Sequence, residues 1–280
     1  MSSVEVSLYP VRCDIQPRQA DLGRDGTAST TALAQWLLEA RRRLRLPRFE
    51  RLVHSGAFGP FQIVLVGERA ERLAPVRLSD PDITVHTGIR RFGRSSFTYE
   101  QAVFAGTEQV GRGGATILLL GPAGPLALPD EMIADLTELS LPDSAEPAPA
   151  RPAVERRNRG HYSFFAPLRA RIADVDINQH VNAIVLATWY DEAVAAFTAA
   201  ALGVTGLVPD LAPTAHRIDY IGEVTYPGDY EIGVTVRSFE ADTVHYELGI
   251  FRGDTCSGVA DLTGPRGELT PEPSATDVPH

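Results

Sequence analysis

The sequence predicts an α+β protein of two similar halves, each an antiparallel sheet wrapped around one long central helix. Three observations carry this. The passage Asp174-Val-Asp-Ile-Asn-Gln-His-Val-Asn182 runs straight into an apolar helical segment, and a weaker copy, Asp21 to Ser29, does the same half a chain earlier. Trp36 with Glu39-Ala40 returns as Trp189 with Glu192-Ala193, at the 153-residue spacing that also separates Asp21 from Asp174. Further on, Phe92, Tyr99-Glu100, Phe104 and Gly106 recur as Phe239, Tyr246-Glu247, Phe251 and Gly253 at a spacing of 147.

Each half opens with an extended stretch, Val4 to Ile15 and Tyr162 to Ile172. A polar loop and one long helix follow, about Thr31 to Leu46 and Val181 to Ala201. In the second helix Leu186, Trp189, Ala193, Phe197 and Ala200 recur at helical spacing and make one apolar stripe. About four antiparallel strands then complete each half. Ile83 to Ile89 and Glu231 to Val236 alternate or run apolar as half-buried strands do. Asp80 and Asp229 match in the turn before these strands, and Gly121-Pro122 and Gly264-Pro265 close the two sheets. The division expected is residues 1–140, a linker at 141–159, a second domain at 160–269 and a tail at 270–280. The linker holds four prolines, many charges and no aromatic residue, so it has little with which to build a core.

At 280 residues the chain is long enough for two cores, and 44% apolar with 22% charged residues is a globular composition. A formal charge of -10 argues against a general nucleic-acid binder, which needs a basic footprint. There is no lysine, which excludes Schiff-base chemistry and a P-loop, and no HExxH or GxSxG is present. Cys13 and Cys256 alone make neither a disulfide framework nor a metal site, so a reducing cytoplasm is the expected setting. No apolar run reaches the roughly 18 residues a membrane span needs, and the first ten residues do not read as a secretory signal.

The chemistry sits in the later polar passage. Asp176, Asn178 and His180 lie at alternate positions just before a helix. A carboxylate there can attack a thioester carbonyl or act as general base toward water, an amide can orient it, and an imidazole can handle the proton. The first N–H groups of the helix lack intrahelical partners and offer a place for an oxyanion. Asp176 as nucleophile and Asp176 as base remain equal alternatives.

This passage is similar to the motif of the acyl-acyl carrier protein thioesterases, and more loosely resembles that of the 4-hydroxybenzoyl-CoA thioesterase group. The resemblance covers most of the second half at motif level and the first half at fold level only. It implies two hotdog domains in tandem, with Asp176, Asn178 and His180 functional. The family also uses a glutamate in a Tyr-x-x-Glu context, matched here by Tyr220-Ile-Gly-Glu223. That glutamate is often followed by cysteine, whereas this chain has Val224. In the first half Gly23, Asp25, Thr27 and Ala74 stand where Asp176, Asn178, His180 and Glu223 do, so this half is expected to serve as scaffold and substrate wall.

The resemblance therefore implies a thioesterase that hydrolyses acyl-CoA or acyl-carrier-protein thioesters to free acid and thiol, with no cofactor or metal. Two rivals stand beside it: a hotdog enoyl-thioester hydratase or dehydratase, whose usual loop carries a proline and wider spacing to the histidine, and a non-catalytic acyl-CoA-binding protein. Pairing of two tandem chains is open. Other residues read more simply. Asn182 is expected to cap the helix. Arg41 to Arg45, with Arg48 and Arg51, read as a solvated helix end, or else as a landing patch for coenzyme A phosphates or an acidic carrier protein. Arg90, Arg91 and Arg94 pose the same choice. His54, His86, His216 and His245 occur singly and read as structural, and Trp36 and Trp189 as core residues.

Overall fold

The computed structural model describes residues 8–44, 46–55, 61–80, 82–142, 151–176, 179–206, 208 and 211–270. The first half contains β1 (Val11–Ile15), α1 (Thr30–Arg43), α2 (Pro47–Ser55), β2 (Gln62–Arg72), β3 (Ile83–Phe92), β4 (Ser96–Ala105), β5 (Glu108–Gly121), the two-residue β6 (Gly124–Pro125) and α3 (Asp130–Glu138). The second contains β7 (Phe164–Arg169), α4 (Ala183–Leu202), β8 (Ala215–Tyr220), β9 (Asp229–Phe239), β10 (Thr243–Arg252) and β11 (Thr255–Pro265). The predicted helices are present, but the first stops at Arg43. Pro47 cannot continue a helix that began at Thr30, because its ring removes the donor the preceding turn needs; it opens α2 instead.

The strands form one sheet in the order β1-β3-β4-β5-β2-β8-β11-β10-β9-β7, with β6 paired to β5. The order is a mirrored list: β1, β3, β4, β5 and β2 of one half answer to β7, β9, β10, β11 and β8 of the other. β4 and β10 carry the same bounds shifted by the 147 residues seen in the sequence. The halves join through β2 and β8, which pair antiparallel from Gly67↔Asp219 to Glu71↔Ala215. Within this seam Glu68 faces Ile218 while Ala70 faces His216, so the local two-fold relation makes Glu68 the counterpart of His216 and Arg72 the counterpart of Tyr220.

Each long helix lies on the sheet and buries its apolar stripe. Trp36, Leu33 and Leu37 fill the first core with Val85 and Val103, and Trp189, Tyr190, Ala193 and Val194 fill the second with Ile218, Ile232 and Leu248. Close approach of α1 depends on β5: a Cβ at Gly113 would lie 2.4 Å from both the Arg69 carbonyl oxygen and Leu37 Cδ1.

Three features were not anticipated. α2 and α3 pack together over Ile89, Phe97, Tyr99 and Leu119, extending the first core, and no such pair exists among the described residues of the second half. Arg41 is not a solvated helix end. Its side chain is 6% exposed, and Nη1 donates to Gln101 Oε1 at 2.7 Å while Nη2 faces Glu68 at 3.8 Å. Gln101 in turn donates to Thr87 and to the Leu37 carbonyl, and Tyr220 of the other half donates to Glu68 at 2.8 Å. Residues 151–161 form two helical turns in which buried Arg156 bonds the Ala260 carbonyl and pairs with Asp261.

Candidate active site

Residues 174–176 and 179–182 fold back on one another and deliver the chain to the mouth of α4. Val175 and Val181 make a β-bridge, Asp176 N–H donates to the His180 carbonyl at 2.9 Å, and Gln179 N–H donates to the Asp176 carbonyl at 3.0 Å. Gln179 takes a left-handed φ of 65° to close the turn. Asn182 caps α4 as expected, its side chain accepting from Ile184 N–H at 2.9 Å.

The loop is then laced to the segment after β8. Val181 N–H donates to the Val224 carbonyl at 2.7 Å, and His180 bridges Thr225. This places His180 Nε2 3.3 Å from Glu223 Oε2, although 43 positions separate them in the sequence. Both side chains reach solvent, at 38% and 66% exposure, so water can meet the pair. Asp176 is half-buried. Asn178 lies outside the described residues.

Two further residues hold this arrangement and were not singled out from the sequence. The Ser257 carbonyl accepts from Ile221 and Gly222 N–H, and its hydroxyl donates to the Glu223 carbonyl at 3.4 Å. The Tyr230 hydroxyl clamps both the N–H and the carbonyl of Thr225. Neither belongs to a local motif; only the folding of β9 and β11 onto the loop brings them there.

The first half repeats this backbone almost bond for bond. Gly23 N–H donates to the Thr27 carbonyl, Gly26 closes the turn with a φ of 75°, and Ala28 N–H donates to the Val76 carbonyl at 2.8 Å. Ser29 caps α1 by accepting from Ala32 N–H. Because Val76 does what Val224 does, Pro75 rather than Ala74 occupies the place of Glu223; the turn up to Asp229 is one residue longer than the turn up to Asp80. Gly23 and Thr27 replace Asp176 and His180. Asp25 is not a free carboxylate: Thr27 N–H and hydroxyl donate to it at 2.9 and 2.8 Å, and Arg72 pairs with it at 3.2 Å. Burial alone raises its pKa, but these donors outweigh that and hold it below the usual aspartate value.

A cavity of about 590 Å³ lies between the halves, bounded by the 20–25 loop, the start of α1, the flank of α4 from Ile184 to Asp191, and Arg72 and His216 on the sheet. Asp176, His180 and Glu223 do not line it. No cluster of three or more metal-binding side chains occurs among the described residues, and none of their helices is long and apolar enough to cross a membrane.

No protein-family model matches the chain, and no curated protein sequence does. Solved structures do. A 12:0-ACP thioesterase from Umbellularia californica superposes with a TM-score of 0.69 at 16% identity, covering 91% of this chain and 97% of that one. An acyl-ACP thioesterase from Bacteroides thetaiotaomicron superposes with a TM-score of 0.63 at 14% identity, over 90% and 96%. The fold is a tandem hotdog. Both hotdog units are present, with the two sheets joined edge to edge and a long helix on each, as the resemblance implied.

Of the arginines read as a surface patch, several pair with acids of the same chain, although Arg43 and Arg48 keep much of their side chains in solvent. Arg48 pairs with Asp135 and Glu138 of α3, Arg43 with Glu39, and Arg90 with Glu100. His216 is buried, and burial drives its pKa below the ordinary histidine value against the pull of Glu68 and Asp191. Trp36 and Trp189 are core residues, and the Trp36 indole also donates to Asp21 at 3.0 Å.

Proposed function

We propose that the chain is an acyl thioester hydrolase whose reaction takes place at the 174–182 loop of the second half, on acyl-CoA or acyl-carrier-protein thioesters. The observation that carries the reading is the meeting of His180 and Glu223 at 3.3 Å beside the helix mouth, on the loop that also holds Asp176. The tandem hotdog fold, common to solved acyl-ACP thioesterases, supports it.

In this reading the thioester carbonyl sits at the N-terminus of α4, where first-turn N–H groups face the developing oxyanion. Glu223 faces His180 Nε2 at 3.3 Å, which orients the imidazole and leaves its other nitrogen to handle the proton of water. Asp176 either adds to the carbonyl, giving an anhydride that water opens, or removes the proton from water directly; both routes release a free acid and a thiol. Asn178 orients the carboxylate or the substrate.

The test is thiol release from a panel of acyl-CoA and acyl-carrier-protein substrates. Wild type is expected to turn over at least one class, and Glu223→Gln to reduce turnover about 100-fold, as removal of a proton-handling group does. Equal turnover by the two proteins would remove the His180–Glu223 pair from the mechanism.

A further inference from the structure

The segment that carries Glu223 is repeated in the first half with the same backbone bonds and different side chains around it. Ile221 and Gly222 N–H donate to the Ser257 carbonyl, and Leu73 and Ala74 N–H donate in the same way to the Val110 carbonyl. Two residues packed against the segment change character between the halves. At the 147-residue spacing Ser257 answers to Val110 and Tyr230 to Ile83, both aliphatic and buried. In the second half the Ser257 hydroxyl donates to the Glu223 carbonyl at 3.4 Å. The Tyr230 hydroxyl accepts from Thr225 N–H at 2.8 Å and donates to the Thr225 carbonyl at 3.0 Å. The matching N–H of the first half, that of Arg77, donates to Asp80 within its own turn at 2.8 Å.

The difference has a physical reason. Pro75, at the place of Glu223, fixes its own φ, so the first segment folds partly ordered. Gly222-Glu223 has no such restraint, and a carboxylate on free backbone is placed by whatever holds the peptides beside it. Tyr230 can hold them because its ring is itself fixed. It is 3% exposed, lies 6.1 Å from the Trp189 ring, and has the Arg252 guanidinium 5.8 Å from its centre. The turn closes on it only because residue 228 is glycine, where a Cβ would lie 2.6 Å from the ring. The hydroxyl thus ties β9 to Thr225, the residue that bridges His180. The Ser257 bond is longer than a good hydroxyl bond of about 2.7 Å and contributes less.

We propose that Tyr230 is a positioning residue for the reaction, its hydroxyl fixing the 223–225 segment so that Glu223 meets His180, with Ser257 in a lesser supporting role. The proposal rests on the reading of His180 and Glu223 as reacting groups. Both hydroxyls act through Glu223 and not on the substrate.

Tyr230→Phe in the full chain keeps the ring and removes the clamp. With a thioester that wild type hydrolyses, it is expected to lower kcat about tenfold and leave KM within about twofold, since the reacting groups and not the substrate are displaced. Ser257→Ala should lower kcat about twofold to threefold. Tyr246→Phe is the control: that hydroxyl is buried and has no hydrogen-bond partner among the described residues, so kcat should stay at the wild-type value. Two readings by nuclear magnetic resonance do not need turnover. Exchange of the Thr225 amide should quicken about tenfold or more in Tyr230→Phe. The His180 ring signals should respond to Glu223→Gln in wild type and not in the Tyr230→Phe background. Unchanged kcat in Tyr230→Phe, an equal loss in Tyr246→Phe, or unchanged Thr225 exchange would overturn the proposal. If wild type hydrolyses no acyl thioester, the thioesterase reading falls by itself, and the ring signals then decide the clamp: a response to Glu223→Gln that survives in Tyr230→Phe would overturn it, and its loss would support it.

Discussion

The two halves share a backbone and differ in where they place their polar side chains. In the second half they stand at the surface of the helix-mouth loop, and three positions beneath its helix are apolar: Val194, Val234 and Leu248 are each 0% exposed. In the first half the corresponding positions hold Arg41, Thr87 and Gln101, joined in a buried network with Glu68, while the loop has lost its acid and imidazole. The same loop hydrogen bonds survive in both, down to the left-handed turn residue, Gly26 or Gln179. The backbone framework is therefore a property of the fold, and the chemistry is a choice of side chains laid on it.

The largest expected effect breaks this comparison at the buried network. Arg41→Leu leaves the Glu68 carboxylate in the interior with only the Tyr220 hydroxyl, and is predicted to cost about 3–5 kcal/mol of unfolding free energy in denaturant titrations. Replacing both, Arg41→Val with Glu68→Met, removes the two buried charges together and should recover most of that loss; no recovery would mean the network is more than a paired burial.

Next in size, His180→Ala is predicted to lower thioester turnover about 100-fold, whereas Thr27→Ala, the same position in the first half, should leave it within about twofold. Turnover assays on one substrate decide this.

The turn residues sharpen the comparison at a smaller scale. Gly26→Gln places a side chain at φ 75°, where nothing lies within 4 Å of a Cβ, so the cost is that of the backbone alone, about 1 kcal/mol. Thermal unfolding should show it, and a cost several times larger would mean that the first loop tolerates less than the second.

The smallest effect concerns His216. Its folded-state pKa is lowered by burial, so below the unfolded value of about 6.5 the unfolded chain binds a proton that the folded chain resists. Stability is therefore lost as pH falls from about 6.5 toward the folded pKa. His216→Phe should flatten this part of the pH–stability curve measured by urea titration; an unchanged slope would show that His216 does not titrate as its burial dictates.

Much of this architecture was legible because duplication left landmarks in order: the Trp36 and Trp189 positions, the Tyr-Glu pairs of β4 and β10, and the caps Ser29 and Asn182 all fall where the repeat puts them. What could not be read depended on distance. Arg41 looks like one of a solvated run of arginines because its partners, Gln101 and Glu68, lie on strands that only the folded sheet brings beneath it. The one-residue shift from Ala74 to Pro75 came from a turn that differs in length, which alignment through Asp80 and Asp229 passes over. α2 and α3 escaped notice because each is only nine residues long and is stabilised by the other. The cavity beside His216 has no sequence signature at all, since its walls come from five separated segments.

The central claim is that the duplicated loops share a shape but only the later one carries the reacting carboxylate. It is tested most directly by thiol release from acyl thioesters by Asp176→Ala and Asp25→Ala, each compared with wild type. Loss of about 100-fold or more in Asp176→Ala, with Asp25→Ala folded and active, is the predicted result. Full activity in Asp176→Ala, or a loss confined to Asp25→Ala, would contradict it.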